Sequence, residues 1–459
     1  MTNSLIKNFL NINAHSFFFF VLVLFTFNIS LFQSKILFLF EHTRHGARGM
    51  DKIYDNDYDI LGEKWNGEAE LSYVGMRQHY LLGIHNKYKY SELLNFNDYN
   101  PNEIVIYSTN SNRTIMSAQA QLSGMFDNNE NILTNKQKEM ATLPFKITDD
   151  NILNKIKELD DKALPFEVKL EFPIHLIEKK DKILKFDCPK MDQLRKSNKK
   201  KDIIKQHLLD YNATFGKQLL QYFNKNETDF YADINNVGDI AQAFIMNIVD
   251  GRDLLRYQQA GINLDLIYNK SIINSGLYNT EVLAHDPKNE IALSSSSILL
   301  RKVLTYMDKI VEKDKNNSNI QTPKLFFLSG HESTVVIMED IFRVLFNTTM
   351  EFPYFAYNLF IELHKDEETK QYYVNIVYND RVEKSIDYSE FKNIVETKSW
   401  TYEQTAEYCE FENKALPLWK YLTFGLLGGS AIMICLFIYL KLRKNKKEEL
   451  IVTNAPLVV

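Results

Sequence analysis

The chain has 459 residues, of which 45% are hydrophobic, 13% aromatic and 25% charged, with a formal net charge of −5. That length suits about three domains, or one large domain with an insertion, and it excludes a disulfide-stapled miniprotein, a collagen and a wholly disordered chain. The acidic balance argues against a general nucleic-acid binder. Only 11 of the 54 basic residues are arginine, so a local cluster of arginines needs a reason beyond composition.

Near the start, Lys7 precedes an uncharged apolar run from Phe17 to Phe27. Such a run is too short to span a bilayer and suits the core of a signal peptide, assigned to residues 1–34 with cleavage between Asn28 and Ser34. The apolar runs Ile36–Phe40, Ile104–Tyr107 and Lys324–Leu328 read as buried strands. Helix-period patterns follow them at Ser72–Leu82, Thr114–Met125 and Ser333–Phe346. Strand, loop and helix in that order predict an α/β fold with an open, mostly parallel sheet flanked by helices. Its two parts span residues 35–126 and 323–416. Between them, residues 127–322 read as an inserted, mostly helical cap, with helices expected over Asp202–Phe223 and Val237–Val249. The basic stretch Arg195–Lys201 reads as a solvated loop or as a lip for a polyphosphate substrate. Tyr357–Leu363 and Tyr372–Tyr378 predict a hairpin at the sheet edge.

Residues 417–440, uncharged from Tyr421 to Leu440, predict a single transmembrane helix. Lys441, Arg443, Lys444, Lys446 and Lys447 follow, so the tail 441–459 is expected in the cytosol and the bulk of the chain in the lumen or outside the cell. Of the three cysteines, Cys435 lies in that span. Cys188 and Cys409 are left in an oxidising compartment, either bridged or as two buried thiols. Glycosylation is expected at Asn212, Asn226, Asn269, Asn316 and Asn347. The Asn112 sequon directly precedes Arg113 and is expected to stay unmodified.

Each of the three expected strands ends in residues that carry chemistry. The first is followed by Glu41-His42-Thr43-Arg44-His45-Gly46-Ala47-Arg48, the second by Arg113-Thr114, the third by His331-Glu332 at the start of a helix. Ligands of open α/β sheets bind beyond the carboxyl ends of strands, and a helix N-terminus favours an anion. Guanidinium groups bind phosphate oxygens bidentately and do not deprotonate. A histidine can act as nucleophile and a carboxylic acid as proton donor. If the three ends converge, they form a phosphoryl-transfer site without a metal or other cofactor.

Arg44-His45-Gly46-Ala47-Arg48, Arg113-Thr114 and His331-Glu332, with the stretch Leu71–Gly83, resemble the histidine acid phosphatases of branch 2 of the histidine phosphatase superfamily. The resemblance implies a phosphoglycerate mutase-like core, His45 as the nucleophile forming a phosphohistidine, and Glu332 as the general acid. Arg44, Arg48, Arg113 and His331 would bind the phosphoryl oxygens. It also implies a Cys188–Cys409 bridge and a lysosomal, vacuolar or cell-surface single-pass protein. The partners implied are a small phosphorylated substrate, the membrane through one C-terminal helix and a possible homodimer, with no nucleic acid. Glu332 stands where the family commonly has Asp, and Met50 where it often has Pro. An inositol-polyphosphate phosphatase and a non-catalytic receptor for phosphorylated ligands are the alternatives.

Overall fold

A computed structural model of the chain describes residues 34–49, 69–96, 99–126, 172–177, 188–198, 286, 288–318 and 321–409, with isolated positions elsewhere. The expected signal peptide as far as residue 33, the helices at Asp202–Phe223 and Val237–Val249 (isolated positions apart), the transmembrane segment 417–440 and the tail lie outside the described residues, whereas Ser34, the last residue assigned to the signal peptide, is the first of a strand. So do Asn212, Asn226 and Asn269. Among the described residues no helix is long and apolar enough to cross a membrane.

The strands are β1 (Ser34–Arg44), β2 (Ile104–Thr109), β3 (His175–Ile177), β4 (Leu325–Gly330), β5 (Asn358–Asp366), β6 (Tyr372–Tyr378) and β7 (Arg381–Asp387). They form one sheet in the order β3-β2-β4-β1-β5-β6-β7. The pairings β3–β2, β2–β4 and β4–β1 are parallel, whereas β1–β5, β5–β6 and β6–β7 are antiparallel. The sheet is therefore mixed rather than mostly parallel. The chain enters β5 beside the carboxyl end of β1, pairing Asn358 with Thr43, and so must run back against it. The hairpin β5–β6 does form, but β7 covers its outer side. The charged alternation of β7 hides it from a hydrophobic reading.

The helices are α1 (Tyr73–Lys89), α2 (Asn112–Met125), α3 (Pro189–Asn198), α4 (Glu290–Asn316), α5 (Glu332–Phe346), α6 (Tyr388–Lys398) and α7 (Tyr402–Cys409). Alternate side chains of the strands feed two cores. Phe38, Phe40, Phe326 and Leu328 pack under α4, α5 and α6. Leu39, Ile104, Ile106, Leu325 and Phe327 pack with Ala118, Leu122 and Met125 of α2 on the other face. Both β3 and α4 arise from the stretch expected to be cap, yet they belong to the sheet and its helical layer. The basic stretch is not all loop: it is helical as far as Asn198. Asn316 and Asn347 are exposed, at or just beyond the ends of α4 and α5.

Helix α1 lies on the second face and α5 on the first. The crevice between β1 and β4 is thus the place where the following helices part to opposite sides, the usual ligand position in such sheets. Two glycine contacts set its depth. A Cβ on Gly75 would lie 2.1 Å from the Ala47 carbonyl oxygen, and one on Gly46 2.4 Å from the Gly75 carbonyl oxygen. The start of α1 therefore touches the backbone after β1, which no larger residue permits.

Cys188 and Cys409 are bridged across a sequence separation of 221 residues. The bridge packs against Ile291, Val336 and Ile337 and joins the ends of α3 and α7 to the helical layer. The alternative of two free thiols is excluded. Gly75→Ala should cost about 1–3 kcal/mol, since the new methyl meets backbone rather than a flexible side chain. A thermal melt that matches wild type would contradict this. Replacing both bridge cysteines with Ala should cost about 2–5 kcal/mol, because so long a loop is then freed in the unfolded chain. Melting with and without reductant checks it, and only the wild type should respond to reductant.

Candidate active site

The three chemical segments meet at the carboxyl ends of β1, β2 and β4. Arg44 closes β1 opposite Gly330, the last residue of β4. The His45 N–H donates to the Gly330 carbonyl at 2.9 Å, and the Arg44 N–H to the Tyr357 carbonyl at 2.9 Å. Beyond it, the Ala356 N–H donates to the His45 carbonyl at 3.2 Å. The backbone at Arg44 and His45 is thus held between β4 and the segment leading into β5. The next turn is held by side chains. The Gly46 N–H donates to Ser117 Oγ at 3.1 Å and the Ala47 N–H to Gln78 Oε1 at 2.9 Å.

His45 is buried. Its Nδ1 donates to the Gly46 carbonyl at 2.8 Å, since a carbonyl can only accept. The neutral ring therefore carries its lone pair on Nε2. Burial pushes the imidazole well below its usual pKa, and the guanidinium groups of Arg44 and Arg48 push it further down. Its ring lies edge-on to His331, with centroids 5.5 Å apart.

The buried Arg44 side chain is committed on three sides. Nη2 pairs with Glu332 Oε2 at 2.9 Å, Nη1 donates to the Pro353 carbonyl at 2.6 Å, and the guanidinium lies 4.3 Å from the Phe355 ring centroid. Arg48 is also buried, with Nη1 donating to the Gly49 carbonyl at 2.9 Å. Arg113, in the first turn of α2, donates through Nη2 to Nδ1 of His331 at 3.3 Å. A guanidinium cannot accept, so Nδ1 of His331 is bare. Its Nε2 then donates to Thr109 Oγ1 at 2.9 Å. His331 is the N-cap of α5, and its own N–H donates to Thr334 Oγ1 at 2.8 Å.

Arg44, His45, Arg48, Arg113, His331 and Glu332 are therefore brought to one place, although they come from three distant stretches of chain. Asn112 is exposed at the rim and donates to Glu70 Oε1 at 2.9 Å. Several residues of this region carry no motif. Thr109 and Thr334 orient His331. Phe355 supports Arg44, and His79 reaches the Arg44 carbonyl with Nε2 at 3.1 Å. Gln78 and His79 lie within the stretch that resembles the family, which was the one sequence signal for them.

The chain matches the family model of the histidine phosphatase superfamily (branch 2) over residues 30–379. It is 25% identical over 334 residues to lysosomal acid phosphatase of Rattus norvegicus, covering 71% of this chain and 66% of that protein. It is 39% identical over 84 residues to prostatic acid phosphatase of Rattus norvegicus, covering 18% of this chain and 22% of that protein. These matches span less than two thirds of the relatives' own length. In structure the chain is similar to the Hafnia alvei phytase in complex with tartrate, with a TM-score of 0.52 at 13% identity over 81% of this chain and 98% of that one. The phytase from D. castellii gives a TM-score of 0.51 at 13% identity, covering 82% of each chain. At such identity the likeness bears on the fold alone. With the family model spanning most of the chain, this protein belongs to branch 2 of the histidine phosphatase superfamily.

Proposed function

We propose that this protein is an acid phosphatase that hydrolyses phosphate monoesters through a phosphohistidine. The observation that carries this reading is His45. Its Nδ1 is bound to the Gly46 carbonyl, its Nε2 is left with the lone pair, and buried arginines surround it. A bare imidazole nitrogen among fixed guanidinium groups suits attack on phosphorus.

The steps follow from the groups present. Phosphoryl oxygens bind Arg44, Arg48 and Arg113, and in doing so draw Arg44 away from Glu332 and Arg113 away from His331. Nε2 of His45 forms a bond to phosphorus while the bond from phosphorus to the leaving oxygen breaks. That oxygen keeps the electron pair and takes from Glu332 the proton that the bound phosphate monoanion has passed to its carboxylate once Arg44 has left it. Water then attacks the phosphohistidine, Glu332 takes a proton from the water, and the P–N electron pair returns to Nε2. The arginines hold the charge that builds on the equatorial oxygens.

The relatives named lysosomal acid phosphatase support a luminal acidic compartment. The uncharged run from Tyr421 to Leu440 supports a single-pass anchor with the phosphatase domain in the lumen or outside the cell. The aromatic segment beside Arg44 favours a compact monoester over a polyanion, because Phe352, Tyr354 and Phe355 offer no charge to a second phosphate.

On purified full-length protein, His45→Ala should lower kcat for an aryl phosphate at acidic pH by at least about 10³-fold, in line with loss of a covalent nucleophile. Wild-type turnover by that variant would remove His45 from the role. A panel of aryl phosphate and inositol hexakisphosphate compares the two substrate classes, and higher kcat/KM for the inositol phosphate would reverse the preference stated here.

The depressed pKa of His45 also sets the pH response. A histidine lowered in the folded state stays neutral as pH falls, and its base form is lost only below that lowered value. An ordinary imidazole with a pKa of about 6.5 would lose its base form about 30-fold by pH 5. The profile of kcat/KM, which reports the free enzyme, should therefore show no such fall between pH 7 and pH 5. A descending acidic limb centred near pH 6.5 would contradict the burial argument.

A further inference from the structure

Helix α1 turns an unusual stripe inward: Gly75, His79, Gly83 and Asn86. The spacing is helical, but the stripe is not apolar. Two of these residues are glycines that permit close contact. A Cβ on Gly83 would lie 2.0 Å from the Gln121 carbonyl oxygen of α2. The other two are polar and fully buried, His79 against the Arg44 carbonyl and Asn86 against Glu41.

Nε2 of His79 lies 3.1 Å from the Arg44 carbonyl oxygen, and Nδ1 lies 3.0 Å from Gln121 Oε1. Gln121 Nε2 and Asn86 Nδ2 donate to Glu41 Oε1 at 2.7 and 2.8 Å. Glu41 sits on β1, three residues before Arg44, and is fully buried. Its second oxygen has no hydrogen-bond partner among the described residues. A continuous chain thus runs from Glu41 through Gln121 and His79 to the backbone of Arg44.

The proton positions in this chain are constrained. The Arg44 carbonyl can only accept, so Nε2 of His79 carries a hydrogen. Nδ1 has two arrangements, tied to the orientation of one amide. With Gln121 Oε1 toward the ring, Nδ1 donates as well, and an imidazolium faces an ionised Glu41. With the amide turned over, Gln121 Nε2 donates to a bare Nδ1, and its oxygen accepts from a protonated Glu41. Burial favours the second: it raises Glu41 to about 7 and lowers His79 to about 4, so both are neutral near pH 5. Both arrangements leave Nε2–H pointing at Arg44.

On the phosphatase reading given above, we propose that His79 is a positioning residue. Its Nε2–H holds the Arg44 carbonyl and with it the peptide plane joining Arg44 to His45, while Gln121 and Glu41 hold the ring in place. The opposite face of that peptide is fixed by the His45 N–H on Gly330. Losing the His79 bond leaves the plane anchored at one end, so His45 can rotate away from in-line attack. Misplacement by about 1 Å costs on the order of 10²-fold in rate.

Side-chain geometry separates this role from a merely structural one. The amide nitrogen of Gln can occupy the place of imidazole Nε2, whereas that of Asn occupies the place of Nδ1. In the full-length protein, His79→Gln should keep kcat for an aryl phosphate within about threefold of wild type. His79→Asn should lose about 10- to 100-fold in kcat with KM within about threefold. Both should melt at similar temperatures. Equal kcat for the two variants, or a loss that follows melting temperature or KM, would overturn the proposal.

Nitrogen-15 spectra of histidine-labelled wild type give a readout that needs no turnover. His79 Nε2 should be protonated at every pH at which the protein is folded, and a bare Nε2 would overturn the proposal. A wild type that hydrolyses no monoester, yet shows this protonated nitrogen, would instead remove the phosphatase reading and leave the contact standing. An active wild type with a bare Nε2 would do the reverse.

Discussion

The hydrogen bond from the His45 N–H to the Gly330 carbonyl, 2.9 Å long, is the contact on which the site depends. It joins the carboxyl ends of two adjacent parallel strands, each leading to a helix on a different face of the sheet. Every chemical group of the site hangs from one of these strand ends or from β2 beside them. Were β1 and β4 not neighbours, the residues after them would lie on separate parts of the surface.

Around that junction, burial does most of the electrostatic work. Arginines near a histidine keep its imidazole neutral, and a dry setting strengthens each charge–charge contact. Such a cluster is costly unless its charges are paired. Here the partners are partly carboxylate and partly backbone: Glu332 and the Pro353 carbonyl hold Arg44, and the Gly49 carbonyl holds Arg48. On the proposed function, these are the contacts an arriving phosphate exchanges for its own oxygens. The site is thus held in shape by paired contacts, while the backbone beneath it is fixed on both sides.

The opposite face of β1 shows the same economy in another form. Residues 38 to 40 alternate between two apolar cores, but Glu41 and His42 continue the alternation into buried polar positions. Glu41 meets Gln121 and Asn86, and His42 Nε2 meets Thr334 Oγ1 at 3.1 Å. The strand changes from structural to chemical over one turn of its alternation, without any change of backbone conformation.

The sequence alone picked out the segments that the fold brings together. Ile36–Phe40, Ile104–Tyr107 and Lys324–Leu328 are unbroken apolar runs, and a buried strand is the short structure that satisfies them. The arginines and histidines after each run are too dense for so arginine-poor a chain. The motif that resembles the family named the same residues. What local pattern could not supply was everything that depends on a distant neighbour. The direction of β5 follows from where the chain meets β1, and β3 is too short, β7 too polar and exposed, to announce itself. The inward stripe of α1 carries glycine, histidine and asparagine because it packs on backbone and on Glu41 rather than on oil. Which carboxylate faces Arg44 is set by a group hundreds of residues away, and which carbonyl His79 reaches by the strand its helix packs on; only the bare nitrogen of His45 is set next door, by the Gly46 carbonyl. Periodicity records which side of an element is buried, but only the folded chain decides what that side meets.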